Sequence, residues 1–222
     1  MDGRTAVIAG ASGLVGSHCL QALLSRYERV IALGRRHLPL EHVRLEQRVV
    51  DFEEIGSIEF HADDVFSALG GILDQMGWEK FSQVERDYPI ALARRAAQLG
   101  ARQFLVVSTV DVNFGAKWKR YTALRRELEA AASALPFHAV HIFRPGMLLG
   151  KREKFRLGEG FLGALSPLIN LPLHGGWRKY RAIAGREVGR AMVAAALQAE
   201  PGIHIYHHDQ MRALAASLKE KA

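Results

Sequence analysis

Residues 5–24 read TAVIAGASGLVGSHCLQALL, and this stretch decides the fold. An apolar run from Thr5 through Val7 and Ile8 meets Gly10, Gly13 and Gly16, and apolar positions at helical spacing follow at Leu14, Val15, Cys19, Leu20 and Leu23. A strand that feeds a glycine turn that feeds a helix is a common holder of a dinucleotide pyrophosphate. Gly10 lets the chain turn off the strand, Gly13 lets backbone N–H groups approach phosphate, and Gly16 lets helix and strand pack closely. The helix start adds unpaired donors and a partial positive charge. Ser12 offers a hydroxyl donor, and Ala11, Leu14 and Val15 complete the turn. The spacing is GxxGxxG rather than GxGxxG, so a glycine turn that only packs, or that holds another phosphate ligand, stays open.

Working outward, the pattern alternates strand and helix. RVIALG at 29–34, VRLEQRVVD ending at Asp51, DDVFSALGG from Asp63, RQFLVVSTV from Arg102 and AVHIFRPG from Ala139 read as strands. Residues 79–100 read as one helix, with Pro89 as a kink or restart and Gly100 as its stop, and residues 117–134 as another. After residue 185 come the helix REVGRAMVAAALQ, the short strand IHIYH and a last helix capped by Asp209. This order predicts an α/β doubly wound parallel sheet of the Rossmann type, a single domain over residues 1–222. Residues 151–181, broken by glycines and prolines, are expected to serve as a lid or substrate segment, or else as a structural excursion.

Composition narrows the classes. The 222 residues suffice for one sizeable core. No run reaches the roughly 18 apolar residues that span a bilayer, and Met1 leads at once into the first strand without a secretory pattern. A single Cys19 excludes an internal disulfide and reads as helix packing. These features lead to the expectation of a cytoplasmic protein with no membrane contact. Net charge is +7 and the pI about 9.8. Pairs such as Arg35/Arg36, Arg94/Arg95 and Arg125/Arg126 are scattered among carboxylates, so an anionic cofactor explains the charge better than nucleic acid. His204, His207, His208 and Asp209 are sequence neighbours with no helical i, i+4 pair or gathering turn and no cysteine to help, so they read as surface histidines at a helix start and no metal is expected. Asp63/Asp64 and Glu53/Glu54 read as solvated ends of elements rather than acid/base pairs.

Ligands of such sheets bind at the carboxyl ends of the strands. Arg35 and Arg36 stand directly after the second strand, where selection of NAD calls for a carboxylate on the ribose hydroxyls. A forked, permanently charged group there meets a 2′-phosphate instead, which favours NADP(H) over NAD(H). Tyr121 and Arg125 are four apart on one helix and share a face.

With Ser108 and Thr109 ending the fifth strand, the chain resembles the short-chain dehydrogenase/reductase superfamily, and more closely its atypical Tat-interacting oxidoreductase-like branch. The fragments that carry the likeness are IAGASGLVGSHCLQALL, ALGRR, VVDFEEI, DVFSALGG, VERDYPIALARRAAQLGARQFLVVST and IFRPGMLLGKRE, reaching to about Gln198. The resemblance implies that Asp51 and Phe52 contact adenine, that Ala68, Leu69 and Gly70 line the adenosine ribose, and that Pro145, Gly146 and Met147 border the nicotinamide. It implies further that Ser108, or Thr109 one position on, holds a substrate carbonyl and that Tyr121 protonates it. Arg125 replaces the lysine of the superfamily, keeping the charge while changing length, planarity and donor geometry. The implied activity is reduction of a small carbonyl or enone. A nucleotide sensor that contacts a protein partner, or a nucleotide-sugar epimerase or dehydratase, are the alternatives.

Overall fold

The computed structural model describes residues 2–111, 115–150 and 175–218. The elements, in chain order, are β1 (Asp2–Ala9), α1 (Leu14–Leu24), β2 (Tyr27–Gly34), β3 (Leu45–Val49), a 3-10 turn (Phe52–Ser57), β4 (Asp64–Ser67), α2 (Leu73–Ser82), a wide π turn (Gln83–Asp87) and α3 (Tyr88–Gln98). They continue as β5 (Gln103–Val107), α4 (Ala116–Ser133), β6 (Ala139–Phe143), β7 (Leu148–Leu149), a second 3-10 turn (Gly175–Tyr180), β8 (Ile183–Ala184), α5 (Gly185–Gln198), β9 (Gly202–Tyr206) and α6 (His208–Ser217).

Seven strands form one sheet in the order β3-β2-β1-β4-β5-β6-β9, and every pairing is parallel. Side chains alternate across it. Ile8, Phe66, Leu105 and Phe143 face the layer of α1, α5 and α6. Val7, Ile31, Val65, Phe104 and Ile142 face the layer of α3 and α4. Both faces are covered, so β4, β5 and β6 are buried along their whole length, which is why they read as continuous apolar runs. Each fully buried Leu or Phe contributes about 1.5–3 kcal/mol relative to exposure. Sheet order reverses between β1 and β4, and the crevice at that reversal is where this topology binds ligands.

Several details differ from the sequence reading. The helix expected at 79–100 begins at Leu73 and is interrupted by the π turn, where the Tyr88 N–H reaches the Gln83 carbonyl. Pro89 lies in the first turn of α3, where its missing N–H costs nothing. His207, not Asp209, is the cap residue of α6. Of the expected lid, residues 151–174 lie outside the described residues. Residues 175–180 form the 3-10 turn, and β8 pairs with β7 in a separate two-stranded ribbon.

Asp64, expected at a solvated end, is buried under α5 because partners surround it. It accepts from Tyr27 Oη at 2.6 Å, Gln103 Nε2 at 2.7 Å and Arg4 Nη1 at 3.3 Å. Gln103 Nε2 also donates to the Ala196 carbonyl, so its Oε1 faces His141 Nε2 at 3.0 Å. That contact makes Nε2 the protonated nitrogen and leaves Nδ1 to accept from Tyr206 Oη at 3.0 Å. Burial, with His204 stacked alongside, pushes the His141 pKa down to about 4. The unfolded chain therefore takes up a proton at this histidine between its ordinary value of 6.5 and about 4, where the folded chain does not. Stability should fall as pH drops through that window, by of order 3 kcal/mol. Urea midpoints near pH 7 and near pH 4.5 check this: His141→Gln should flatten the acid loss, and an equal loss in that variant would assign it to other groups.

Candidate functional site

The carboxyl ends of β1, β2 and β4 enclose a groove of about 490 Å³. Its floor is the glycine turn. Gly10 has φ +88, and a Cβ there would lie 2.4 Å from the Ala68 carbonyl oxygen. A Cβ on Gly16 would lie 2.0 Å from the Gly10 oxygen. Only hydrogen fits at either position, so the start of α1 comes down onto β1 with Gly13 as its cap residue, its own N–H bonded to the Gly10 carbonyl at 2.9 Å. No side chain caps α1. The open end of the helix, with its partial positive charge, is a cradle that suits an anion.

Gly10, Ala11, Ser12, Gly13, Arg35, Arg36, Asp51, Phe52, Ala68, Leu69 and Gly70 all line this groove. Leu14, Val15 and Gly16 do not; they pack the base of α1, with Leu14 beneath Gly150 and Gly185. Arg35 and Arg36 are exposed, and among the described residues neither has a hydrogen-bond or ion-pair partner. Asp51 turns its carboxylate to the Glu53 N–H at 2.9 Å and caps the 3-10 turn, while Phe52 packs on Tyr88 with ring centroids 5.8 Å apart.

The groove also includes residues that sequence reasoning passed over. Gln47 of β3 accepts from the Leu38 N–H at 2.7 Å and donates to the Leu40 carbonyl at 2.7 Å, pinning the loop that follows Arg35 and Arg36. Arg48 adds a third guanidinium, itself engaged by Glu46 and the Glu59 carbonyl. Lys80 and Met76 enter from α2, and Lys80 Nζ donates to Tyr88 Oη at 2.7 Å and Glu53 Oε1 at 2.9 Å. Lys80, Met76 and Tyr88 lie 25 to 37 positions after Asp51, on elements whose proximity only the fold reveals. For Gln47 and Arg48, their place at the end of a strand was the available signal.

Ser108, Tyr121, Arg125, Pro145, Gly146 and Met147 do not line that groove; they stand at the ends of the next strands and on α4. Ser108 is buried, and its hydroxyl donates to Glu129. Arg144 Nε donates to the same carboxylate at 3.1 Å, and Arg126 pairs with it. Burial opposes the Glu129 charge, yet these contacts outweigh it and hold the carboxyl below its usual range. Thr109 is half-buried. Gly146 has no room for a side chain, since a Cβ would lie 2.7 Å from the Tyr180 and Arg181 carbonyls. Met147 is exposed.

Tyr121 is packed between Phe81 and Trp118, with ring centroids 5.6 and 6.1 Å away. Arg125 Nε donates to its hydroxyl at 3.4 Å. The guanidinium is itself buried: Nη1 donates to the Glu85 carbonyl at 2.8 Å and Nη2 pairs with the Glu85 carboxylate. Burial raises the Tyr121 pKa, Arg125 opposes the rise and Glu85 adds to it, so the phenol stays protonated through the physiological range. Removing one member of so enclosed a pair typically costs about 3–5 kcal/mol. His204 stacks on His141, His207 starts α6 and His208 Nδ1 meets Asp209 at 2.8 Å. Among the described residues no three metal-ligating side chains converge, and no helix is long and apolar enough to cross a membrane.

Residues 6–127 match the NAD dependent epimerase/dehydratase family. The chain is 32% identical over 167 residues to Protein HTATIP2 of Rattus norvegicus, a match covering 72% of this chain and 69% of that protein. It is 32% identical over 208 residues to the mitochondrial protein FMP52 of Eremothecium gossypii, covering 86% of this chain and 88% of the relative. Among solved structures it is similar to the oxidoreductase ylbE of Lactococcus lactis, with a TM-score of 0.67 at 16% identity and 96% of each chain covered.

The FMP52 proteins of several fungi are mitochondrial, which overturns the cytoplasmic location expected from the sequence. The features behind that expectation, a lone buried thiol and the lack of a long apolar run, suit a mitochondrial compartment equally well. By the glycine turn, the order of the sheet and these matches together, the chain belongs to the NAD dependent epimerase/dehydratase family and, within it, to the atypical short-chain dehydrogenase/reductase branch that it shares with the HTATIP2 and FMP52 proteins.

Proposed function

We propose that this protein is an NADP(H)-dependent oxidoreductase that reduces a carbonyl or a conjugated double bond in a small organic molecule. The observation that carries the reading is the pair Arg35 and Arg36: two exposed guanidiniums line the groove directly after β2, with no partner among the described residues and no carboxylate at that strand end. A guanidinium free to fork around a phosphate is what a 2′-phosphate requires. The glycine turn and the open start of α1 would hold the pyrophosphate, Phe52 and Asp51 would border adenine, and Ala68 to Gly70 would lie along the adenosine ribose. Pro145, Gly146 and Met147 would border the nicotinamide.

The cofactor would supply the hydride, and the protein supplies position and charge. Tyr121, protonated and held among aromatic rings, is the group suited to give its Oη proton to the substrate oxygen. Ser108 is committed to Glu129, which leaves Thr109 as the hydroxyl suited to meet that oxygen. A second reading, a nucleotide-binding sensor without turnover, is favoured by the enclosure of Arg125, which is engaged by Glu85 rather than presented to a ligand.

Two experiments test the proposal. In fluorescence titrations, NADPH should bind at least about tenfold more tightly than NADH, and Arg35→Ala or Arg36→Ala should weaken NADPH by about tenfold while leaving NADH unchanged. Equal affinities, insensitive to both changes, would remove the case for the 2′-phosphate. On a carbonyl panel, Tyr121→Phe should lower kcat by about 10²- to 10⁴-fold at unchanged NADPH affinity. Tight NADPH binding with no turnover of any panel member would establish the sensor instead.

A further inference from the structure

Glu85 lies in the π turn between α2 and α3, and only 3% of it is exposed. Its neighbour Val84 lines the nucleotide groove. Glu85 itself has its two carboxylate oxygens bound to different parts of the site. Oε1 accepts from the Gly71 N–H at 2.7 Å, fastening the loop Ala68–Gly71 that follows β4. Oε2 pairs with Arg125 Nη2, and the Glu85 carbonyl takes Arg125 Nη1 at 2.8 Å. A π turn inserts an extra residue into the helical path, and such turns recur at functional sites.

A buried guanidinium beside a phenol would, alone, pull that phenol toward its anion. The anion would have no proton to give. A carboxylate that meets both the guanidinium and the phenol offsets that pull. Around the Tyr121 hydroxyl the charged groups are Arg125 from α4 and Glu85 from the π turn, with Glu129 acting on Arg125 from one turn further along; the remaining contacts are the uncharged rings of Phe81 and Trp118.

We propose that Glu85 is a positioning residue of the reaction: it neutralises and orients Arg125, keeps Tyr121 in its proton-donating form, and ties α4 to the nucleotide-binding loop through Gly71. The inference rests on Tyr121 as the proton donor. It also makes sense of the arginine at position 125, because a planar fork reaches both the carboxylate and the carbonyl of one residue, where an ammonium offers a single point of charge. Arginine and glutamate then act as a unit.

The test compares Glu85→Gln and Glu85→Asp with the unaltered chain, and it has two readouts. The ionisation of Tyr121 is followed by tyrosinate absorbance, as the difference between each chain and its Tyr121→Phe counterpart. Glu85→Gln should move it down by about one pH unit or more, and Glu85→Asp should restore most of the shift. The alkaline limb of kcat for carbonyl reduction by NADPH should move down with it. An unmoved Tyr121 ionisation in Glu85→Gln would overturn the proposal. Should that variant fail to fold, the double variant Glu85→Gln/Arg125→Met removes both charges, a change buried pairs often tolerate. There the ionisation should stay within about half a unit of the original, and a fall as large as that expected for Glu85→Gln would equally overturn the proposal. The absorbance readout needs no turnover, so a failure of Tyr121 as catalytic acid, seen as unchanged kcat in Tyr121→Phe, is distinguishable from a failure of Glu85 to control it.

Discussion

A close backbone approach between the first helix and the end of the first strand, at Gly16 and Gly10, sets the position of the groove at the carboxyl end of the sheet. A Cβ at Gly16 would sit 2.0 Å from the Gly10 oxygen. Absence of side chains there lets the start of α1 descend onto β1, and the positive φ of Gly10 lets the turn clear the Ala68 carbonyl just after β4. The same economy of volume recurs where α1 crosses α5: a Cβ on Gly189 would lie 2.6 Å from the Cys19 nitrogen. Three glycines thus fix one helix against the sheet and against its neighbour in the same layer, with its open end directed at the groove.

Two kinds of polar order stand on that frame. On the α5 side, a chain of hydrogen bonds runs from Tyr27 through Asp64 and Gln103 to His141 and Tyr206, crossing strands that are otherwise apolar. Each side-chain donor in that chain finds an acceptor, as an interior of low dielectric demands. At the carboxyl end, the buried charges are paired, while two exposed guanidiniums of the groove are left without partners among the described residues. Glu85 and Arg125 enclose each other, and Glu129 gathers Ser108, Arg126 and Arg144. Arg35 and Arg36 have no such partner among the described residues and face the groove. Structural pairing and readiness for a ligand are thereby separated along the same sheet edge.

Legibility in the sequence followed the range of the interaction. The five central strands were readable because parallel strands covered on both faces are runs of Val, Ile, Leu and Phe, as in RQFLVVSTV. The glycine turn was readable because its constraint acts between residues six positions apart. The π turn was not: QVERDYPIALARR carries a helical pattern straight through it, and only the Tyr88 N–H reaching past to Gln83 marks the wide turn. Asp64 looked like a solvated strand end because the three groups that bury it come from Arg4, Tyr27 and Gln103, far apart along the chain.

By itself the sequence determined the alternation of strand and helix, the parallel sheet, the glycine cradle and the arginines that follow the second strand, because each depends on residues a few positions apart. Tertiary structure alone decided which charges are free. Ser108, Arg125 and Glu85 are all polar groups near a strand end or on a helix face, and nothing local says that the first is claimed by Glu129 or that the other two neutralise each other. Ion pairing in a desolvated interior depends on distance in space, and α4 and the π turn, separated along the chain by α3 and β5, meet only in the folded arrangement.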